Sequence, residues 1–374
     1  MSTDSDLELR EGDARAFFQV PFVAYGPRSL HVSPLESDLR RFLDERANPL
    51  FEHFGSRRFY TVQRGGAPVG RIVAHVHRAS NERHGTRRAS FGYFDCADDL
   101  PAARLLLASA EDYGRAQGCS EIAGAFNLTA MQQCGIVTDG FEGVPYSDQV
   151  YNPPHVPRLL EACGYERFFP MRTIEVDLER LDPETLLGPK QRAALADPTL
   201  RWESLRARGL PRLLRHVCRV LNDGFDRNPM FVPLTEEEFL FQAQDLMWVL
   251  DARISALVHG PAGPAGAVVC IPDLNPLLRA IGSRLSWSAP FHWLRFRLHR
   301  RRAVIVFYSV ARAHQGQGLN GAMLYRVTSA LKRAGYRTLG ITWISDQNAA
   351  SLRQAEKLGG RTLHRLHLFR KALA

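Results

Sequence analysis

Lysine is nearly missing from this 374-residue chain: Lys190, Lys332, Lys357 and Lys371 stand against 44 arginines. Arginine suits planar contact with phosphate or carboxylate, but a GC-rich coding sequence produces the same bias, so this shortage assigns no ligand. No stretch approaches 18 apolar residues, which argues against a membrane-spanning helix. The start has no apolar targeting segment. Asp4, Asp6, Glu8, Glu11 and Asp13 surround Arg10 there, and a secretory leader is not expected. The six cysteines (Cys96, Cys119, Cys134, Cys163, Cys218 and Cys270) show no Cys-x-x-Cys or Cys/His metal spacing. Free buried thiols, no metal and a reducing, cytoplasmic location are therefore expected.

A second shortage is local. No Asp or Glu occurs between Leu274 and Ser345, while the same run carries eleven arginines and Lys332. That run sums to +12 in a chain of net charge +9, which leaves everything else at −3. The protein is thus basic in one region. What is present otherwise, 45% apolar and 23% charged residues, describes a globular protein, and the length suggests two domains.

Periodicity and turn residues place the elements. Strands are expected over 58–62, 67–77, 89–95, 121–126 and 172–178, with helices over 39–54, 101–117 and 159–162. Phe17–Tyr25 is an apolar segment of open type. The second half repeats the order. Helices are expected over 210–225, 235–249, 319–334 and 348–358, and strands from Trp202 and over 253–258, 265–271, 303–310, 338–343 and 361–369. Two α+β halves imply an internal structural repeat. The expected organisation is an acidic tail over 1–14, a lobe over 15–180, a linker over 181–199 and a lobe over 200–374 with an insertion at 276–302.

The most informative segment runs from Val310 through Arg312, His314, Gln315, Gly316, Gln317, Gly318, Leu319, Asn320 and Gly321. An apolar strand enters a glycine-rich turn, and the turn opens a helix. Such a turn directs main-chain N–H groups at an anion where the helix dipole is positive. It is no P-loop, since no Gly-Lys-Ser/Thr follows, and no acidic residue completes a dinucleotide fingerprint. A tight strand–helix connection without a ligand is the alternative.

Gln315, Gly318 and Asn320 occupy the Gln/Arg-x-x-Gly-x-Gly/Ala positions of the GNAT superfamily of N-acyltransferases, which this segment resembles; Asn320 departs from the usual Gly or Ala. Asn348, Ser351, Leu358 and Gly359 resemble the family's second motif. The resemblance implies two tandem GNAT-like lobes, each a mixed, mostly antiparallel sheet flanked by helices. It implies coenzyme A or acyl-CoA as co-substrate, with the pyrophosphate on Gln315–Gly321 and pantetheine along the main chain of Val310 and Arg312. Gly70-Arg71-Ile72, Phe91-Gly92-Tyr93-Phe94-Asp95 and Tyr151-Asn152-Pro153-Pro154 extend the likeness to tandem GNAT proteins of similar length. GNAT-like bacterial ceramide synthases are a candidate relation rather than a match. In the first half Asp98 and Asp99 stand in place of a glycine cradle and would repel pyrophosphate, so that lobe is expected to serve the acceptor site or as scaffold.

Catalytic residues are less defined. The family often places a Tyr seven residues after the motif Asn, and Ala355 stands there. Tyr308, His314 and one of Glu236–Glu238, taken as Glu237, are the candidates for acid and base; core packing, a solvated turn and helix-dipole complement are their respective alternatives. Asp139, Asp148 and Tyr151, in a Gly/Pro-rich loop, are candidates for acceptor binding, or simply a surface loop. No Cys or Ser sits in a nucleophile motif, so direct attack by an amine is expected.

The insertion interleaves Leu277, Leu278, Ile281, Leu285, Trp287, Phe291, Trp293, Leu294, Phe296 and Leu298 with seven arginines. Three readings are open: contact with an anionic membrane surface, a helical hairpin packed on the C-terminal lobe, or stacking on RNA. The overall expectation is an acyl-CoA-dependent N-acyltransferase acting on a small-molecule or lipid amine such as a sphingoid base. The rivals are a non-catalytic acyl-CoA-binding protein and an aminoacyl-tRNA-dependent transferase with two GNAT folds. A cytoplasmic protein, peripheral on the inner membrane face, follows from this reading, with nucleic acid the lesser partner.

Overall fold

The computed structural model describes residues 6–54, 57–129, 132–206, 209–226, 228, 230–244 and 249–373. The chain divides into two compact units. One comprises Met1–Met171, Leu278–Ala289 and His364–Ala374, the other Arg172–Leu277 and Pro290–Leu363. Units and sequence order therefore do not coincide: part of the insertion and the last strand belong with the first unit.

The first unit contains β1 (Leu7–Glu11), α1 (Ala14–Tyr25), α2 (Glu36–Leu43), α3 (Leu50–Phe54), β2 (Arg57–Arg64), β3 (Ala67–His75), α4 (Arg78–His84), β4 (Arg88–Cys96), α5 (Leu100–Ala116), β5 (Glu121–Gly124), β6 (Ile136–Asp139) and α6 (His155–Ala162). β7 (Glu166–Asp177) crosses into the second unit at Arg172. The sheet order is β1-β2-β3-β4-β5, followed by the C-terminal strand, with β6 also on that strand. β4 and β5 run parallel and the pairs among β1 to β4 are antiparallel. α5 buries Ala102, Leu106 and Ala110 against Val62, Ile72 and Phe91 of the sheet. Pro101 in its first turn loses no hydrogen bond, since that N–H has no intrahelical partner.

Two expectations for this half are corrected. The helix expected over 39–54 is two helices, because Asn48 caps the break: its amide donates to the Phe42 carbonyl at 2.8 Å and its oxygen accepts from Leu50 N–H at 3.1 Å, with Pro49 between. The acidic tail is not a tail from residue 7 onward, for Leu7–Glu11 pairs with β2. Its charges suit an exposed edge, where Glu8 binds Arg10 at 2.9 Å and Glu11 binds Arg58. Asp4, also assigned to the tail, lies outside the described residues.

The second unit holds α7 (Pro189–Ala196), β8 (Arg201–Glu203), α8 (Leu210–Gly224), α9 (Glu236–Ala243), β9 (Ala256–Gly260), β10 (Gly263–Pro272), the start of α10 (Asn275–Ala280), nearly all of α11 (Ala289–Leu298), β11 (Arg302–Val310), α12 (Leu319–Arg333), β12 (Thr338–Ser345), α13 (Ala349–Lys357) and the start of β13 (Arg361–Ala372). Its sheet order is β7-β12-β11-β10-β9-β8. The α9 expectation reached Val249, and residues 245–248 of it lie outside the described residues. Met323, Val327 and Leu331 of α12 pack with Val268, Ile305 and Leu339 of the sheet.

The insertion is helical, but it is not a hairpin packed on the C-terminal lobe. Its segment Leu278–Ala289 belongs to the first unit, where Ser283 Oγ donates to the Ser33 carbonyl at 2.7 Å and Arg284 Nε to Glu36 at 2.7 Å. The end of β13 likewise completes the first sheet, Phe369–Ala372 pairing antiparallel with Gly124–Glu121.

A buried ion pair anchors the first unit. Arg71 on β3 donates through Nε to Asp95 on β4 at 2.7 Å and through Nη1 to the Phe17 carbonyl at 2.9 Å, and Tyr25 donates to the other Asp95 oxygen at 2.7 Å. Both charged side chains are under 10% exposed. Removing one partner strands a charge in the interior, which costs about 3–5 kcal/mol. Asp95→Ala is therefore expected to lower the unfolding free energy by about that amount in urea titration. A loss below about 1 kcal/mol would show that the pair is not structural.

Candidate active site

The second unit contains a fork. β11 and β12 pair in parallel from Arg302↔Thr338 to Ile305↔Ile341 and then part, although both strands continue. A register shift between Val269 and Cys270 places Val306 as an extra residue of β11 against β10. Such a bulge bends and twists its strand. Thr342 Oγ1 donates to the Val306 carbonyl at 3.3 Å where the strands diverge.

Below the fork, β11 leads through a 3-10 turn (Arg312–His314) into α12. Gly316 and Gly318 have φ of 76° and 89°, in the left-handed region where glycine carries no penalty. Gly318 is the N-cap of α12, and no side chain caps that end. The first-turn amides, which no intrahelical carbonyl satisfies, are thus left to solvent or an anion. Gly316 faces open space, but a Cβ on Gly318 would lie 2.5 Å from the backbone of Lys190, and one on Gly321 would lie 2.9 Å from Gln191. These two glycines therefore let α7 approach. Lys190 Nζ donates to the Gly316 carbonyl at 3.2 Å, setting a cation beside the turn.

The other residues expected to hold coenzyme A fall at three kinds of place. Gln315 pins the turn, its Nε2 donating to the Val310 carbonyl at 3.1 Å. Gln317 donates to the Ala313 carbonyl at 2.8 Å, and Leu319 is buried in the core. The Arg312 amide is not free for pantetheine: it donates to Asp223 of α8 at 2.6 Å, and the Arg312 guanidinium binds Asp223 and Asp226. Asn348 is the N-cap of α13, accepting from Ser351 N–H at 3.1 Å, so this pair builds a helix end. Ala355, at the family's tyrosine position, is 3% exposed within the core.

The catalytic candidates are not brought together. Tyr308 donates to the Asn320 carbonyl at 2.7 Å, and burial holds its hydroxyl well above the ordinary range. His314 lies against Gly260. Of the three glutamates, Glu236 binds Arg215 and Arg219, Glu238 closes a capping box with Thr235, and Glu237 is exposed. Among the described residues no hydrogen bond or ion pair joins Tyr308, His314 and Glu237. Burial pushes the Cys218 thiol up to about 11 and raises the Cys96, Cys134 and Cys270 thiols further, so none is a ready thiolate nucleophile. No cluster able to hold a metal occurs among the described residues.

The first unit has the same fork, and its own chain fills it. β4 and β5 pair from Arg88↔Glu121 to Phe91↔Gly124, and beyond that point Phe126 N–H donates to the Phe91 carbonyl at 2.7 Å. Asn127 accepts from Tyr93 N–H at 2.6 Å, and a Cβ on Gly92 would meet the Phe126 carbonyl at 1.8 Å. At the helix that follows, the Asp99 carboxylate caps the α5 amides through Ala102 N–H at 3.1 Å and is held by Arg64 at 2.8 Å. A carboxylate already occupies the anion position.

Nearby, Asp139 is exposed at the end of β6, and Tyr151 donates to the Phe141 carbonyl at 3.1 Å within its own loop. Asp148 has a left-handed backbone, φ 66°, and its carboxylate makes no hydrogen bond or ion pair among the described residues. Sequence reasoning missed Asp223, Asp226, Gln191 and Thr342, whose roles depend on long-range packing. Lys190, one of four lysines, was the one visible signal.

These features agree with the comparisons. Residues 235–360 match the family model for "Acetyltransferase (GNAT) family", so this span is similar to a GNAT domain, and the chain has a tandem GNAT, α+β fold. A bacterial ceramide synthase of Caulobacter vibrioides is 26% identical across 100% of this chain and 99% of that protein. Protein YghO of Escherichia coli is 24% identical across 98% and 94%. Among solved structures, a tandem GNAT protein from the clavulanic acid biosynthesis pathway superposes with a TM-score of 0.60 at 14% identity, covering 98% of this chain and 99% of that one. A GNAT protein from Sphaerobacter thermophilus gives 0.54 at 14% identity, covering 98% and 96%. The matches support an N-acyltransferase in general terms.

Two outcomes follow. Gln315→Ala removes the side chain that pins the turn to β11, at about 1 kcal/mol, and should weaken coenzyme A binding about fivefold by calorimetry; unchanged affinity would separate the turn from the ligand. Burial pushes the Asp148 carboxyl up to about 7, so the native state holds its proton where the unfolded chain has lost it. This contribution is present below the unfolded value near 3.8 and fades as pH rises through 7. Asp148→Asn should therefore raise Tm at pH 8 and lose that advantage near pH 4, whereas a pH-independent change would refute the shift.

Proposed function

We propose that the chain transfers an acyl group from acyl-CoA to the primary amine of a lipid-like acceptor such as a sphingoid base. The observation that carries this is the open fork of β11 and β12 above an uncapped helix N-terminus, inside the span that matches the GNAT family. The end-to-end likeness to a protein named as a bacterial ceramide synthase supports a lipid amine over a small one. Acyl-CoA supplies the activated thioester carbonyl. The amides of Gly316 through Gly321 hold the pyrophosphate, with Lys190 adding charge beside it. The diverging edge of β11 beyond Ile305 orients the pantetheine arm, and Asp223 keeps Arg312 aside.

The amine nitrogen forms the new bond to the carbonyl carbon as the carbon–sulfur bond breaks, and the amine proton goes to a protein base while the thiolate gains one. Glu237 and His314 have side chains without a hydrogen-bond or ion-pair partner among the described residues and remain the groups for this traffic. Tyr308, bound to Asn320, instead supports the turn. On this reading the enzyme works in the cytoplasm, next to the membrane that supplies its substrate.

Buried Ala355 in place of a tyrosine favours a second reading, a non-catalytic acyl-CoA-binding protein. Calorimetry with coenzyme A and a long-chain acyl-CoA, followed by mass spectrometry of mixtures containing sphinganine, separates the two. Binding with an N-acyl product is expected. Binding without product on any amine supports the second reading, and no binding removes both.

A further inference from the structure

α11 departs from the usual surface helix, which keeps its apolar side inward, by carrying large apolar residues on its outward face as well. None of its residues is buried. Phe291, Leu294 and Leu298 are 67%, 59% and 72% exposed and recur at i, i+3 and i+7, one outward stripe. With about 100° between successive residues, Arg295 borders that stripe on one side and Arg297 on the other. Trp293 and Phe296 are half-buried on the opposite face, their rings 5.6 Å apart. The turn leading into the helix leaves Leu285 71% and Trp287 95% exposed. Among the described residues, five of the nine large exposed hydrophobic residues fall within this short stretch, so the exposure is a local feature and not surface scatter.

The charge around it is of one sign. Of the seven arginines in 276–302, Arg284, Arg300 and Arg302 bind acidic groups and Arg279 binds two carbonyls. Arg295, Arg297 and Arg301 are exposed and have no acidic partner among the described residues. The occupant must therefore be apolar in depth and anionic at its rim. A second copy of this face would bring arginine against arginine about a two-fold axis. An RNA strand would find three leucines among the five exposed residues, and leucine offers no ring for a base to stack on.

We propose that α11 lies on an anionic lipid surface, with Phe291, Leu294 and Leu298 in the headgroup–acyl boundary and Arg295, Arg297 and Arg301 among the phosphates. The proposal stands on exposure and charge and does not need the acyl-transfer reading.

The test is flotation of the full chain with vesicles of phosphatidylcholine alone or mixed with phosphatidylglycerol, scored beside its coenzyme A affinity. Flotation with the anionic vesicles is expected. The exposed substitutions Phe291→Ser, Leu294→Ser and Leu298→Ser together should weaken it about tenfold, and Arg295→Glu with Arg297→Glu by a similar factor, both leaving coenzyme A affinity unchanged. Absence of flotation, or equal flotation of the serine variant, overturns the proposal. So does retention of transfer RNA in place of vesicles, or self-association lost in the serine variant. Loss of coenzyme A binding by the unaltered chain would instead sink the enzymatic reading and leave this one standing.

Discussion

The parallel ladder between β11 and β12 ends at Ile305 and Ile341, and the rest of the second unit is arranged around that ending. A sheet normally satisfies its main-chain groups by pairing. Parting two adjacent strands leaves such groups facing one another across a gap, so something must occupy it. The two units answer differently. The first fills the gap with Phe126 and Asn127 and caps the following helix with Asp99. The second has a glycine at the corresponding helix cap and no capping side chain. Repetition of one scaffold with opposite treatment of its gap thus gives one unit a side-chain cap at this helix and the other a glycine.

Charge along the chain turns out to be a poor guide to charge in space. The run from Leu274 to Ser345 carries no acid, yet Asp223 and Asp226 neutralise Arg312, Asp251 binds Arg300, Asp273 binds Arg302 and Glu179 binds Arg337. Residues distant in sequence supply the missing carboxylates. Among the described residues Arg295, Arg297, Arg301, Arg326 and Arg333 are exposed and have no acidic partner, while Arg279 and Lys332 bind carbonyls. Five of the twelve cations of this run are thus paired with carboxylates from outside it, and five more stand exposed without one among the described residues.

Much of the fold was legible because periodicity is local. Apart from β1 and β6, which were not expected, the strands of both sheets, α5, α8 and α12 lie close to their expected positions, and the glycine turn sits between β11 and α12. β1 was illegible, for an edge strand of charged residues carries no hydrophobic alternation. The split between α2 and α3 depends on one asparagine and one proline inside a pattern that otherwise reads as continuous. Site residues fared worse for a physical reason. Arg312 and Asn348 were read as ligand contacts from their motif positions, whereas Asp223 engages the first and a helix cap uses the second. The segments around Arg71 and Asp95 carried the wider resemblance, and in this structure they form a buried ion pair.

β13 closes the sheet of the first unit with residues 369–372, and Lys371 there binds Glu111 of α5 at 2.8 Å. A growing chain emerges from the ribosome in order. When Met171 has been made, the first unit has most of its residues but neither its last strand nor the segment Leu278–Ala289. Translation at about 5–20 residues per second puts that strand about 10–40 s behind. Through this interval β5 presents an open edge beside a parallel partner, the kind of edge on which unfinished chains aggregate. The unit encoded first is thus the one completed last.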